Sequence, residues 1–220
     1  MSIGMEVNPI AVFGAGGFGM EVAMLIEQIN AVAPIWRMEG FFDDGLPQGT
    51  QVNGWPVLGG LEALNGWATS LAVVFALGMP AVKRAVIRKV RNPRLSFPVL
   101  VHPTVIRGNP AHLSIGEGTI LCAGVIVTTN IAIGRHVIVN LACTIGHQVV
   151  IGDYCAFMPG CNVSGEVTVG EGSFWGTGAK AINGKRIGAH TKIGAGAVAI
   201  TDIPDQATAV GVPARVLLPR

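Results

Sequence analysis

From Ile115 onward, apolar residues recur at every sixth position. Counting in sixes from Ile115 to Ala199 visits fifteen positions, all apolar and all but two of them large. Glycine follows at 116, 134, 152, 170 and 188, a spacing of eighteen. A second set lies four residues into each hexad and is mostly small or β-branched: Thr119, Val125, Ile131, Val137, Cys143, Val149, Cys155, Cys161, Val167, Ser173 and Ala179. Three hexads per coil describe a triangular solenoid of short parallel strands, with both columns facing inward. One coil cannot bury its inner face alone, but coils stacked at the ~4.8 Å strand spacing close both the core and the backbone ladder. The same columns place Cys143, Cys155 and Cys161 in small inward slots, as core and not as metal ligands. Lys185 breaks the second column in the hexad AINGKR, which predicts a loosened corner there.

The first hundred residues follow another rhythm. IAVF (10–13) reads as a strand, GAGGFG as a turn, and MEVAMLIEQIN as a helix. MEGFFDD ends a second strand at Asp43 and Asp44, LAVVFAL (71–77) is a third, and PAVKRAVIRKV starts a helix with Pro80 in its first turn. Strands alternating with helices imply a parallel sheet covered by helices. The fold expected is therefore an α/β, Rossmann-like βαβ unit over 1–101 followed by an all-β parallel β-helix over 102–220. Gly14, Gly16, Gly17 and Gly19 fit G-x-G-x-x-G between strand and helix, where backbone N–H groups can receive a phosphate. The unit is too short for a two-half dinucleotide fold, so one mononucleotide half, suited to a nucleotide-sugar, is the better reading.

Composition narrows the function. Charged residues make up 13% of the chain and the net charge is +2, with no Lys/Arg cluster, which argues against nucleic acid. No apolar run is long enough for a membrane span, and the start MSIGMEV lacks a basic leader, so a cytoplasmic location is expected. The four cysteines form no C-x-x-C pair, in keeping with a reducing compartment.

The hexads, the ending IGAGAVAITDIPDQATAVGVPAR and the βαβ unit with GAGGFG and FFDD together resemble the hexapeptide-repeat sugar O/N-acetyltransferases. Bacillosamine-pathway and perosamine N-acetyltransferases and sialic acid O-acetyltransferase belong to that family, and the resemblance covers nearly the whole chain. It implies a left-handed β-helix, a homotrimer, acetyl-CoA as acyl donor without a metal, and a nucleotide-linked amino sugar as acceptor. It also implies that the acidic pair Asp43 and Asp44 contacts the nucleotide, with Gly14, Gly16, Gly17 and Gly78 beside the substrate. Phe18 stands where many relatives carry histidine, so a polar contact is missing there.

His147 matches the family's general base. An amine or hydroxyl attacking a thioester must lose a proton, and imidazole titrates near working pH. An acid often follows this histidine in relatives; here Gln148 follows, which can orient the ring but cannot stabilise imidazolium by charge. That suits an amine nucleophile better than the alcohol of an O-acetyltransferase. Asn140 matches an active-site asparagine. Gly165, Thr177 and Ala195 fall where relatives meet the thioester and pantetheine through backbone, Ala156 replaces a histidine near the thioester, and Arg215 is a candidate for a CoA phosphate. Of the other histidines, His102 reads as structural, His112 as part of an irregular approach, and His136 and His190 as outward-pointing surface residues. Two rivals compete: a zinc hydratase on the same β-helix, which needs three converging imidazoles that this spacing does not supply, and a non-catalytic nucleotide sensor.

Overall fold

The computed structural model describes residues 7–217; residues 1–6, on which the reading of the N-terminal start rests, and residues 218–220 lie outside it. The N-terminal unit runs β1 (Asn8–Phe13), α1 (Gly17–Val32), β2 (Trp36–Phe42), β3 (Gln51–Val52), β4 (Trp55–Gly59), α2 (Leu61–Asn65), β5 (Leu71–Phe75), α3 (Pro80–Ile87) and β6 (Leu95–Ser96). These strands form one sheet in the order β3-β4-β2-β1-β5-β6, parallel except for the β3–β4 hairpin. Strands β1 and β5 at its centre are continuous apolar runs because helices cover both faces. The hairpin and α2 add to the elements read from sequence.

The solenoid follows as three stacked sheets. Face one carries Ile120–Leu121, Ile138–Val139, Ala156–Phe157, Phe174–Trp175 and Lys192–Ile193. Face two carries Ile126–Val127, Thr144–Ile145, Asn162–Val163, Lys180–Ala181 and Val198–Ala199, and face three starts at Leu113–Ile115 and ends at Arg186–Ile187. Leu100–Val101 already pairs with Ile120–Leu121, so the ladder begins just before residue 102. Each corner between faces needs one left-handed residue. That residue is Ala142 at the first corner, Gln148 at the second and His136 at the third, with φ of 55°, 57° and 54°.

Both apolar columns are buried, and fully buried Phe157 and Trp175 have ring centroids 5.1 Å apart. Burying a side chain of that size contributes roughly 1.5–3 kcal/mol. The small second column does more than fill space. Cys143, Cys155 and Cys161 donate S–H to the carbonyls of Met158, Gly170 and Gly176 at 3.2, 3.2 and 3.3 Å. Thr119 and Ser173 donate to Gly134 and Gly188 in the same way. Each such donor answers a corner carbonyl one coil on, and so ties successive coils together through their buried corners. Burial pushes the Cys155 thiol up to about 12, which keeps it a donor.

Two expectations fail here. The corner at Lys185 is not loosened: Thr168–Val169 pairs in register with Arg186–Ile187, the Lys185 carbonyl accepts from Thr168 N, and Thr191 and Ala197 resume the buried column. His136 is not a surface residue but is only 4% exposed. Its ring stacks on Tyr154 at 5.7 Å and meets the edges of Phe75 and Phe97, because the N-terminal unit covers the third corner there. Lys83 of α3 is buried at the same boundary, and neither its Nζ nor His136 Nδ1 has a hydrogen-bond partner. Helix α1 packs elsewhere on face one, sharing a core cluster with Leu100, Ile120 and Cys122. His102 is structural as expected, bonded to Thr104 and to Gln28 of α1.

Candidate active site

Face two of the solenoid has the sequence-derived acyl-transfer residues at both of its edges. Asn140, Thr177 and Ala195 stand at the first corner; His147, Gln148 and Gly165 stand at the second. Thr177 and Ala195 are neighbours on successive coils, and the glycines around them, Gly176 and Gly194, leave no room for a Cβ against the next rung. Asn140 is buried, and its Oδ1 accepts from Leu141 N at 2.7 Å, which shapes the first corner.

His147 is exposed, and its Nδ1 lies 3.1 Å from Oε1 of Gln148. An amide oxygen only accepts, so this bond places the proton on Nδ1 and leaves Nε2 with its lone pair free. Directly below, one coil on, Gly165 supports the ring. A Cβ added there would meet three atoms of the imidazole, with Nε2 at 2.5 Å. Glycine is thus required by the histidine and not by its own backbone angles. Gln148 pays the left-handed conformation that the corner imposes, so position and orientation of the imidazole come from one two-residue unit.

Between the two edges runs a polar ladder that sequence reasoning missed. Asn162 Nδ2 donates to Thr144 Oγ1 at 2.9 Å, and Lys180 Nζ donates to Asn162 Oδ1 at 2.6 Å. The eighteen-residue spacing of these three outward residues was the signal available. Ala156 is not brought to this face. It lies on face one with no exposed surface in the single chain. Arg215 is exposed on the final antiparallel strand of face one.

The glycine-rich turn divides its work. Gly14 has φ 102°, and a side chain on Gly19 would strike the Gly14 carbonyl, so these two close the turn onto the helix. Gly16, Gly17 and Gly78 face open space. Gly16 caps α1 without any side-chain bond, and the first N–H bond back to it comes from Met20, so the preceding amides remain available. Phe18 packs against the core cluster beneath α1. The acidic pair is more structural than expected. Asp43 accepts from Ala15 N and Gly45 N, both at 2.8 Å, and Asp44 accepts from Leu61 N at 2.7 Å. Asp43 therefore ties the glycine turn to the end of β2, and Asp44 anchors the start of α2. Among the described residues, no group of three His, Cys, Asp or Glu side chains is placed to hold a metal ion, and no helix is long and apolar enough to cross a membrane.

Comparison with known proteins agrees with this architecture. Residues 9–90 match the family model described as the PglD N-terminal domain. Perosamine N-acetyltransferase from Caulobacter crescentus, solved as a histidine-to-asparagine mutant with CoA and GDP-perosamine, is 30% identical, with a TM-score of 0.84 over 97% of this chain and 99% of its own. The acetyltransferase domain of PglB from Neisseria gonorrhoeae FA1090, solved with acetyl coenzyme A, is 32% identical, with a TM-score of 0.85 over 96% of this chain and 100% of its own. WeeI from Acinetobacter baumannii AYE is 33% identical, with a TM-score of 0.85 over 96% and 100%. No functionally curated protein matches the chain significantly in sequence. On this similarity, which spans nearly the full length of each chain, the protein belongs to the hexapeptide-repeat sugar acetyltransferases that carry a PglD-type N-terminal domain, and it is an acetyltransferase.

Proposed function

We propose that the protein transfers acetyl from acetyl-CoA to the amine of a nucleotide-activated amino sugar, with His147 as general base. The observation that carries this reading is the exposed imidazole with its proton fixed on Nδ1 by Gln148 and its ring seated on Gly165. The amine nitrogen attacks the thioester carbonyl carbon and gives up a proton to His147 Nε2. Collapse of the tetrahedral intermediate breaks the C–S bond, and the leaving CoA sulfur takes that proton. The products are an amide and free CoA, and no covalent enzyme intermediate or metal takes part. Transition-state contacts to the carbonyl oxygen would come from backbone at the glycine-rich corners.

The working units are 1–101 for the nucleotide and 102–220 for acyl transfer, in a cytoplasmic homotrimer. If three copies turn face two toward a common axis, the second corner of one copy meets the first corner of the next. His147 would then sit beside a neighbour's Asn140, Thr177 and Ala195, from which a single chain separates it by the length of a face. The bare amides at the start of α1 and the open space at Gly16, Gly17 and Gly78 suit the diphosphate of the acceptor. The relatives solved with GDP-perosamine and CoA and with acetyl coenzyme A support the same pair of substrates.

The test is mass spectrometry of acetyl transfer from acetyl-CoA to a panel of UDP-, GDP- and dTDP-linked amino sugars. One amide product is expected. Transfer only to a hydroxyl, with the amine left free, would replace this reading with an O-acetyltransferase. Light scattering of the full chain should give a trimer mass, and a monomer would leave the two corners unassembled.

A further inference from the structure

The third corner, away from face two, holds a feature that the acetyl-transfer site does not use. A groove of about 280 Å³ runs between α3 and the lower coils, with Arg84 and Arg88 on one wall and His190 and Lys192 on the other. Phe174 forms part of its floor, and Met79, Pro80 and two alanines of α3 supply the remaining apolar wall. Arg84 and His190 are held by Glu171, at 3.5 and 3.4 Å, so part of the cationic wall is fixed in advance. Among the described residues, Arg88 and Lys192 form no ion pair. Three permanent cations thus face one carboxylate, in a chain whose total net charge is only +2. Residues 83–94 carry six Lys and Arg and no acid, against the expectation of no basic cluster, and two of the groove's cations are unneutralised.

We propose that this groove is a second anion site that binds a diphosphate group, gripped by Arg88 and Lys192 from opposite walls. Arg84 contributes from within its Glu171 pair, and Phe174 offers a flat surface for whatever ring the diphosphate carries. None of these side chains belongs to the site assigned to acetyl transfer, and the corner they occupy is separated from His147 by a full face of the solenoid. The ligand chemistry is therefore diphosphate, whether free or as part of a nucleoside diphosphate. Arginine suits it through its planar fork, and lysine as a point charge.

Calorimetry on the full chain tests this with inorganic diphosphate and, separately, UDP, each titrated into wild type, Arg88→Ala, Lys192→Ala and Glu171→Gln. The difference between wild type and Arg88→Ala isolates the groove from any nucleotide bound at α1. Saturable diphosphate binding is expected, weakened about tenfold by each cation deletion, as fits loss of a charge-assisted hydrogen bond, and tightened by Glu171→Gln. Acetyl-transfer kcat and both KM values should stay unchanged in the two alanine variants. A UDP component tighter than diphosphate, with only its excess lost in Phe174→Ala, would identify a nucleotide as the occupant; equal affinities would identify free diphosphate. Binding that is absent, or unaltered in both alanine variants, would overturn the proposal. So would weakening accompanied by a matching rise in KM for either substrate, since the groove would then be part of the acetyl-transfer site.

Discussion

At residues 146–149 and 134–137 the chain makes the same kind of turn, with Gln148 and His136 both left-handed at φ near 55°. One turn presents an imidazole to solvent, backed by a glycine and an amide. The other has its imidazole covered by the N-terminal unit, between Tyr154, Phe75 and Phe97. Burial and the nearby positive charges of Lys83 and Arg135 hold His136 down at about 4, while Asp153 pulls weakly the other way. An uncovered corner leaves the imidazole accessible, and a covered one turns the same side chain into packing. What decides the role is the second layer of protein, not the repeat.

The comparison breaks most severely if the uncovered imidazole is removed. His147→Ala should lower kcat by about 10²–10⁴-fold, the range for lost general-base catalysis, while binding of both substrates persists. Steady-state kinetics with varied acetyl-CoA and varied sugar will check this. Gly165→Val should come next. The new side chain must displace the imidazole, and a misplacement of about 1 Å can cost up to about 10²-fold in kcat. Its melting temperature should stay close to wild type, because Gly165 has no positive φ to strain.

The covered corner should respond in stability instead. Burial lowers Lys83 to about 7 and desolvation lowers His136 to about 4, so both bind protons more weakly folded than unfolded. The unfolded chain then holds the extra protons, and stability must rise with pH through each window. For Lys83 that window runs from about 7 to 10.5, and for His136 from about 4 to 6.5. Lys83→Met should stabilise the protein at neutral pH and abolish the upper rise, whose slope is at most about 1.4 kcal/mol per pH unit. His136→Phe should flatten the lower one. Urea unfolding at a series of pH values reads both. The smallest effect belongs to Gln148→Ala, which removes orientation but no charge and should reduce kcat less than about tenfold.

Much of this was legible in the sequence because the solenoid repeats. The inward columns and the three coil cysteines follow from a strict period, whereas His147 was singled out by the family resemblance. His136 was misread because its cover comes from residues 75, 83 and 97, which no hexad count connects to it. The β3–β4 hairpin was missed although its turn, Asn53-Gly54, carries the residues that a two-residue loop with positive φ at both positions favours. The family resemblance gave Asp43 and Asp44 as nucleotide contacts but not the backbone bonds they make. The backbone amides they hold, Ala15 and Leu61, become their neighbours only once the sheet has formed. Ala156 followed the family pattern onto face one, where it is fully buried.

The central claim is that His147 takes the proton of the attacking amine through Nε2 while Gln148 holds Nδ1. The pH dependence of kcat/KM for wild type beside Gln148→Glu tests it most directly. A carboxylate at 148 stabilises the imidazolium, so the ascending limb of the profile should move to higher pH in the variant and should vanish in His147→Ala. A limb that stays in place in Gln148→Glu, or one that persists unchanged without the imidazole, would contradict the assignment.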